Sequence, residues 1–423
     1  MHILITGANG FIGRRLVDSL RTAGHTVIEA TRHAEHSAAT VNADFTRDVE
    51  PAAWLPKLSG VDAVINAVGI LREHGTQTFE RIHVSAPQAL FAACAAAGVR
   101  RVVQVSALGA DRGTSSYFRS KRLADEYLAQ LPLDWTIVQP SLVFGIGGAS
   151  ARLFTMLASL PIVPLPGAGR QQVQPIHIDD LVLAIAAIVQ RHDFAHRRVA
   201  LVGPEALSLR EFLARLGHVI GMPRPRFLPI PLSLMHTGAA VAQLSSRSLL
   251  DRESLQMLEA GNTADPADTC ELLGRAPRPV EQFVAEDVRR FIAQDVQLTW
   301  LLPLLRWSVA LVWIWTGIVS LGVYPRTESL ALLARTGITG LLADFALYAA
   351  AALDLALGAA TLLMRRRRML WVAQFVLILG YTVIITIKLP EFWLHPYGPI
   401  LKNLPLLACI TLLYSLEARR WNT

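Results

Sequence analysis

The pattern of apolar and polar positions changes once along this chain, near residue 300. Before that point, short apolar runs alternate with longer mixed stretches. The runs 2–5, 26–30, 62–67, 101–105 and 135–139 have the length and branched residues of strands, with another short strand just before Asp44. The stretches 11–20, 78–97 and 117–131 have helical spacing, and the alanines of 78–97 suit close packing on a sheet. A further short strand is expected around 199–203. Ser208-Leu209-Arg210-Glu211 is a capping box before an amphipathic helix. Residues 223–231 read as proline-rich and irregular, and 232–298 as short helices with a loop at 261–268. This second lobe is expected to cover the substrate side of a cleft.

Beyond residue 300 the runs lengthen. Residues 307–323, 341–364 and 369–387 are nearly uncharged, and a shorter run covers 404–416, starting as early as Ile400. A transmembrane helix needs about 17–25 apolar residues, so three runs qualify and the fourth is marginal. Tryptophan and tyrosine near the ends (Trp313, Trp315, Trp393, Tyr397) favour membrane helices over a buried soluble bundle. Arg289, Arg290 and Arg306, the run Arg365 to Arg368, and Arg419 with Arg420 fall on one side. By the positive-inside rule that side is cytoplasmic, which places the first part of the chain in the cytoplasm at the inner membrane. Asp354 lies mid-run, where a carboxyl must face the bundle interior; Tyr381, Thr382 or Thr316 are expected partners, and a polar cavity is the alternative.

Candidate chemistry begins at Thr6-Gly7-Ala8-Asn9-Gly10-Phe11-Ile12-Gly13, between the first strand and first helix. Strand, glycine turn and helix open a dinucleotide-binding unit. Gly7 permits the tight turn, Gly10 lets backbone approach a pyrophosphate, and Gly13 lets helix and strand pack closely. The helix N-terminus then offers N–H groups to phosphate. After the second strand stands Thr31-Arg32 where an acidic residue would favour NAD(H). Arg32 can pair with a 2′-phosphate, so NADP(H) is preferred over NAD(H); a solvated surface arginine is the alternative. Asp44 and Phe45 are placed over the adenine, Ala67-Val68-Gly69 beneath the cofactor, and Pro140 and Val143 in a loop beside the nicotinamide.

Tyr117 and Lys121 are at i and i+4 and project from one helical face. The lysine is expected to lower the phenol's pKa and make Tyr117 a general acid or base, with Ser106 bonding the same substrate oxygen. Asp179 is expected to cap the helix after 174–178, with His177 holding that loop.

Composition refines this. The chain has 423 residues, 52% apolar and 17% charged, with a mean hydropathy of +0.38. The excess lies after residue 300. A net charge of +7 comes largely from arginine clusters between apolar runs, so it does not imply nucleic acid. Cys94, Cys270 and Cys409 are isolated, which implies neither a disulfide framework nor a metal site and suits a reducing compartment. The N-terminus lacks the basic region of a signal peptide.

Residues 1 to about 290 resemble the atypical short-chain dehydrogenase/reductases (SDRs), near the branch of the NADPH-binding accessory subunit of respiratory complex I. The resemblance rests on the glycine stretch, Asn66-Ala67-Val68-Gly69, Ser106-Ala107-Leu108-Gly109-Ala110, Tyr117-Phe118-Arg119-Ser120-Lys121, Pro140-Ser141-Leu142-Val143-Phe144-Gly145 and Gln174-Pro175-Ile176-His177. It implies an α/β Rossmann-type, doubly wound parallel sheet and bound NADP(H), in a branch whose members can hold the cofactor structurally. Gln139 departs from the arginine often found there. Residues 300–423 resemble DoxX-like four-helix membrane domains, on Trp315-Thr316-Gly317, Leu353-Asp354-Leu355-Ala356-Leu357-Gly358, His395-Pro396-Tyr397-Gly398-Pro399 and Lys402-Asn403-Leu404-Pro405. That resemblance points to quinone or small redox partners. The expected organisation is an NADP(H)-binding domain over 1–298, its substrate lobe mainly 170–298, and a transmembrane domain over 299–423 through which an oligomer can form. Two readings stand. One is a membrane-tethered reductase using Ser106, Tyr117 and Lys121 on a carbonyl of a lipid-like or quinone-like substrate. The other is a non-catalytic, cofactor-loaded module.

Overall fold

The structure, a computed structural model, describes residues 1–33, 39–242 and 252–419. It divides into two compact units, Met1–Val296 and Gln297–Thr423.

Seven strands build the sheet of the first unit: β1 (His2–Thr6), β2 (Thr26–Thr31), β3 (Thr40–Asn42), β4 (Ala63–Asn66), β5 (Arg101–Val105), β6 (Asp134–Pro140) and β7 (Arg197–Leu201). Their order is β3-β2-β1-β4-β5-β6-β7, and every neighbouring pair is parallel. The order reverses between β1 and β4, the crevice where doubly wound sheets bind ligands. β4 and β5 are buried along their whole length, as their unbroken apolar runs require of central parallel strands. Helices α1 (Gly13–Thr22), α2 (Ala86–Ala97), α3 (Ser116–Ala129) and α4 (Ile178–Gln190) cover the sheet. Leu16, Leu20, Ile185 and Ile188 fill one face. Trp54, Leu90, Phe91 and Leu128 fill the other.

Three expectations need correction. α1 starts at Gly13, two residues late, because the Gly10 N–H bonds the Gly7 carbonyl at 2.8 Å and holds residues 7–12 in a turn. The helix expected over 78–97 is interrupted by a π-helical turn, Glu80–Ser85. Pro87 explains this: it has no N–H for the carbonyl four residues back, and its ring would press on that carbonyl, so the chain widens there. Residues 223–231 are not all irregular, because Arg226–Ile230 pairs in parallel with Ile162–Pro166. Prolines at 164 and 229 are tolerated in so small a sheet. Around this pair, helices Ala149–Ala158 and Leu209–Val219 pack Phe154 on Phe212, and the Ser208–Glu211 capping box is formed. Of the helical stretch expected over 232–298, residues 243–251 lie outside the described residues.

In the second unit, helices Leu341–Leu363 and Arg368–Lys388 are long and apolar enough to cross a membrane, as is the helical segment Glu286–Val323, which the division at residue 297 cuts. Asn403–Glu417 is apolar but shorter. Arg420 lies outside the described residues. Glycines set the packing here. A Cβ on Gly317 would meet the Ala351 carbonyl oxygen at 2.9 Å, and one on Gly358 would meet Ile314 at 2.5 Å. Asp354 is buried, with one carboxyl oxygen lacking a hydrogen-bond partner. Thr316 and Thr382, two of its expected partners, donate instead to Val312 and Ile378 of their own helices.

Candidate active site

The site sits at the C-terminal ends of β1, β4 and β5. Register places Thr6 beside Asn66, and Asn66 beside Gln104. Their side chains form a buried ladder: the Thr6 hydroxyl donates to Asn66 Oδ1 at 2.6 Å, and Asn66 Nδ2 donates to Gln104 Oε1 at 2.7 Å. Above this floor runs the glycine turn. Gly7 has a φ of 71°, and a Cβ there would press on the Ala67 carbonyl oxygen at 3.0 Å. A Cβ on Gly13 would overlap the Gly7 carbonyl oxygen. Asn9 and Gly10 are exposed on the turn. No side chain caps the N-terminus of α1, so its amide groups remain available to an anion. This cradle fits a dinucleotide pyrophosphate.

The flanking candidates are spread more widely. Arg32 is exposed just past β2; residues 34–38 lie outside the described residues. The Asp44 carboxyl is spent on its own turn, accepting from the Thr46 amide and hydroxyl at 2.9 and 2.8 Å. Burial works against its charge, but those bonds, with Arg47 and Arg32, hold it below the usual carboxylate range. Phe45 is buried edge-on against Trp54, 5.4 Å between ring centres. The Phe11 ring reaches across to Gly145 and Gly148, while Arg15 stacks on it and bonds the carbonyls of Phe11 and Ile146 at 3.0 and 2.9 Å. Ile12 closes the turn before α1. Val68 and Gly69 follow β4; a Cβ on Gly69 would stand 3.1 Å from Lys121 Nζ. The Pro140 carbonyl accepts from Leu108 N–H at 2.9 Å, and Val143 pairs with Ile176.

Ser115 caps α3 and sets the phase of Tyr117 and Lys121. Lys121 is 4% exposed; its Nζ donates to the Val105 carbonyl at 3.1 Å and reaches the Val68 carbonyl at 3.5 Å. Burial brings it down to about 8, with Asp125 acting in the opposite sense. The Tyr117 ring lies against Phe79, His83 and Phe118. Its phenol is pushed up to about 12 by burial and then by Asp125, the reverse of the lowering expected from Lys121 alone. Ser106, expected to face a substrate oxygen, donates its hydroxyl to Asp125 Oδ2.

Two residues of this site escaped the sequence reading. Asp125 is one turn beyond Lys121, fully buried, and raised to about 7 by burial against the opposing pull of Ser106, Lys121 and Arg198. The i+4 spacing from Lys121 was its signal. His83 sits in the π turn. Its Nε2 accepts from the Ile70 N–H at 3.0 Å, so Nδ1 carries the proton toward Ser120 Oγ at 2.9 Å, and Ser120 donates on to the Tyr117 carbonyl at 2.8 Å. Burial, then Lys121, lowers His83 to about 2, so the ring is neutral. Pro87 inside an apparent helix was the signal for this turn.

Farther out, the roles at α4 are exchanged. His177 is the N-cap, accepting from the Asp179 N–H at 3.3 Å, and Asp179 pairs with Arg278 at 2.9 Å. Asp180, fully buried, accepts from Arg275 at 2.6 Å and from the Arg278 backbone N–H at 2.7 Å. Gln139 donates to Asp111, which pairs with Arg198.

Residues 7–144 match the NAD(P)H-binding family model, and residues 310–411 match the DoxX-like family. An epimerase family protein of Mycobacterium bovis is 28% identical over 255 residues, 54% of this chain and 81% of that protein. A ceramide reductase of Caulobacter vibrioides is 25% identical over 257 residues, 58% and 78% of the two chains. Subunit 9 of the NADH dehydrogenase (ubiquinone) 1 alpha subcomplex of Arabidopsis thaliana is 27% identical over 252 residues, 56% of this chain and 62% of that protein. Among solved structures, an NADPH-dependent quinone oxidoreductase of Escherichia coli has a TM-score of 0.54 at 19% identity, covering 66% of this chain and 97% of the other. At that identity the likeness is one of fold. The chain therefore joins an NAD(P)H-binding, Rossmann-type domain, similar to epimerase-family proteins and to complex I subunit 9, to a C-terminal DoxX-like domain of apolar, membrane-type helices.

Proposed function

We propose that the protein is a membrane-tethered, NADPH-dependent reductase acting on a carbonyl of a lipid-like or quinone-like substrate, with its NADP(H)-binding domain over 1–298 and its membrane domain over 299–423. The observation that carries the reading is Lys121, buried and aimed at the backbone of Val105 and Val68, one helical turn from Tyr117 at the switch point of the sheet. Kinship with a ceramide reductase supports a lipid-like substrate.

Gly7, Asn9, Gly10, Phe11, Ile12 and Gly13 would hold the pyrophosphate, and Ala67, Val68, Gly69, Pro140 and Val143 would wall the nicotinamide side. Arg32 and the absence of an acid at Thr31 favour the 2′-phosphate, and the turn that carries Asp44 and Phe45 would border the adenine. The bound dinucleotide supplies hydride. Tyr117 supplies the proton to the developing alkoxide; Lys121 would orient the ribose. A phenol held near 12 keeps its proton at neutral pH, which suits the reducing direction. Arginine asymmetry supports an inner-membrane location with this domain in the cytoplasm.

The test uses the full chain in detergent. Calorimetric titration is expected to show NADPH binding about tenfold or more tighter than NADH, and Arg32→Ala to remove the difference. Molecules that co-purify, identified by mass spectrometry, are expected to include a lipid or quinone ketone. Tyr117→Phe should cut its reduction about a hundredfold or more while leaving NADPH affinity nearly unchanged. Lys121→Ala should lose both. Unchanged turnover in Tyr117→Phe removes the assignment. A second reading, a cofactor-loaded module without turnover, is favoured by Ser106 being engaged by Asp125, and predicts NADPH binding with no reducible partner.

A further inference from the structure

Ser106 has one proton, and while Asp125 is a carboxylate that proton is committed to Asp125. In that state the serine can only accept a hydrogen bond from a substrate. A carbonyl substrate needs a donor. The two demands conflict unless Asp125 itself carries a proton.

The surroundings of Asp125 favour that proton. The residue is fully buried, and its second oxygen, Oδ1, is buried without a hydrogen-bond partner. A bare oxygen on a buried anion is costly, whereas the bare oxygen of a neutral acid costs far less. The charged and titratable groups around it are Lys121 and Tyr117 on its own helix, Arg198 on β7 and Asp111 in the loop after β5. The positive pair is offset: Arg198 is drawn to Asp111 at 3.6 Å, and Lys121 spends its ammonium on backbone carbonyls.

We propose that Asp125 is a positioning residue that sets the polarity of Ser106. As a neutral acid it donates to Ser106 Oγ, and the serine proton is free for a substrate carbonyl. As a carboxylate it takes the serine proton, and Ser106 accepts only, as the hydroxyl of an alcohol substrate requires. The reversal moves no net proton into the product; Tyr117 remains the acid. Asp125 thus sets how well Ser106 holds a carbonyl for reduction, and that hold weakens as pH rises. The inference rests on the reductase reading above, and burial raising Asp125 to about 7 puts the change near neutrality.

The test has two readouts on the full chain in lipid nanodiscs with NADPH. The first is infrared difference spectroscopy across pH, which follows the protonated-carboxyl band that disappears in Asp125→Asn. The band is expected to titrate near neutral pH, and Ser106→Ala to shift its frequency; that second variant identifies the band if Asp125→Asn does not fold. The second readout is reduction of a short-chain lipid ketone. Its kcat/KM should fall about tenfold or more between about pH 6 and about pH 8 in the parent, and about twofold in Asp125→Asn, whose amide donates to Ser106 at every pH. No titrating band, or the parent's pH profile retained in Asp125→Asn, overturns the proposal. A titrating, Ser106-sensitive band without ketone reduction supports the hydrogen-bond switch while removing the reductase reading.

Discussion

The floor of the nucleotide site and the interior of the membrane unit treat buried polar groups in opposite ways. Under the glycine turn, Thr6, Asn66 and Gln104 hand hydrogen bonds across three strands, and Asp180 has both oxygens taken by the segment carrying Arg275 and Arg278. In the membrane unit, Gln374 donates to Thr361, yet its own carbonyl oxygen, one oxygen of Asp354 and the indole N–H of Trp313 are buried without partners. Contact between the helices there is set by Gly317 and Gly358. Without a hydrophobic drive between helices in lipid, small residues such as these permit the close approach on which helix packing depends. Polar pairing is complete in the floor beneath the glycine turn, while nearby Asp125 keeps one bare oxygen.

Paired substitutions sharpen this contrast. Asp180→Asn should cost about 2–3 kcal/mol of apparent stability, because it leaves Arg275 without its anion and takes from Arg278 one of its two carboxylates, Asp179 being the other. Asp354→Asn should stay within about 0.5 kcal/mol, since the lost charge had no partner at one oxygen. Thermal unfolding of full-length protein in nanodiscs measures both; equal costs would break the comparison. If Asp354→Asn folds normally but loses ligand binding or turnover, the membrane unit takes part in the chemistry.

Next in size is the glycine packing. Gly358→Ala should cost about 1–2 kcal/mol, because its Cβ meets Ile314 and the Ala310 carbonyl. Gly380→Ala, with nothing within 4 Å of its Cβ, should be neutral or slightly stabilising. A reversed ranking would mean that this helix pair is not the packing seam.

The smallest effect is a slope. Asp125, raised in the fold, contributes stability that is full below about 4 and lost as pH rises to about 7. His83, depressed in the fold to about 2, contributes stability that is full above about 6.5 and lost as pH falls. Between those limits the two oppose each other. Asp125→Asn should make apparent Tm fall more steeply with acid than in the parent, and His83→Gln less steeply. Parallel curves in all three would deny that these groups titrate on unfolding.

What could be read beforehand was local. The glycine turn, the Tyr117–Lys121 pair and the apolar runs each lie within about twenty consecutive residues, and each was recognisable. The doubly wound parallel sheet and its main strands followed the alternation of runs, whereas the strand order came with the structure. What could not be read depended on folding distant residues together. Ser106 finds Asp125 only because α3 lies along β5. The Phe11 ring is claimed by the loop at Gly145, and Asp44 by its own turn. The pKa of Tyr117 moved against expectation because burial outweighs a lysine whose charge is directed elsewhere.

The π turn at Glu80–Ser85 has one more consequence. An α-helix advances about 100° per residue, so one extra residue rotates everything beyond it by about that angle. Phe79 and His83, before or within the turn, stay aimed at Tyr117, while Leu90 and Phe91 beyond it face the sheet. The turn is a phase shifter, changing the angle between the face aimed at Tyr117 and the face laid on the sheet. Deleting a single residue there would leave both sequences intact and put them out of step.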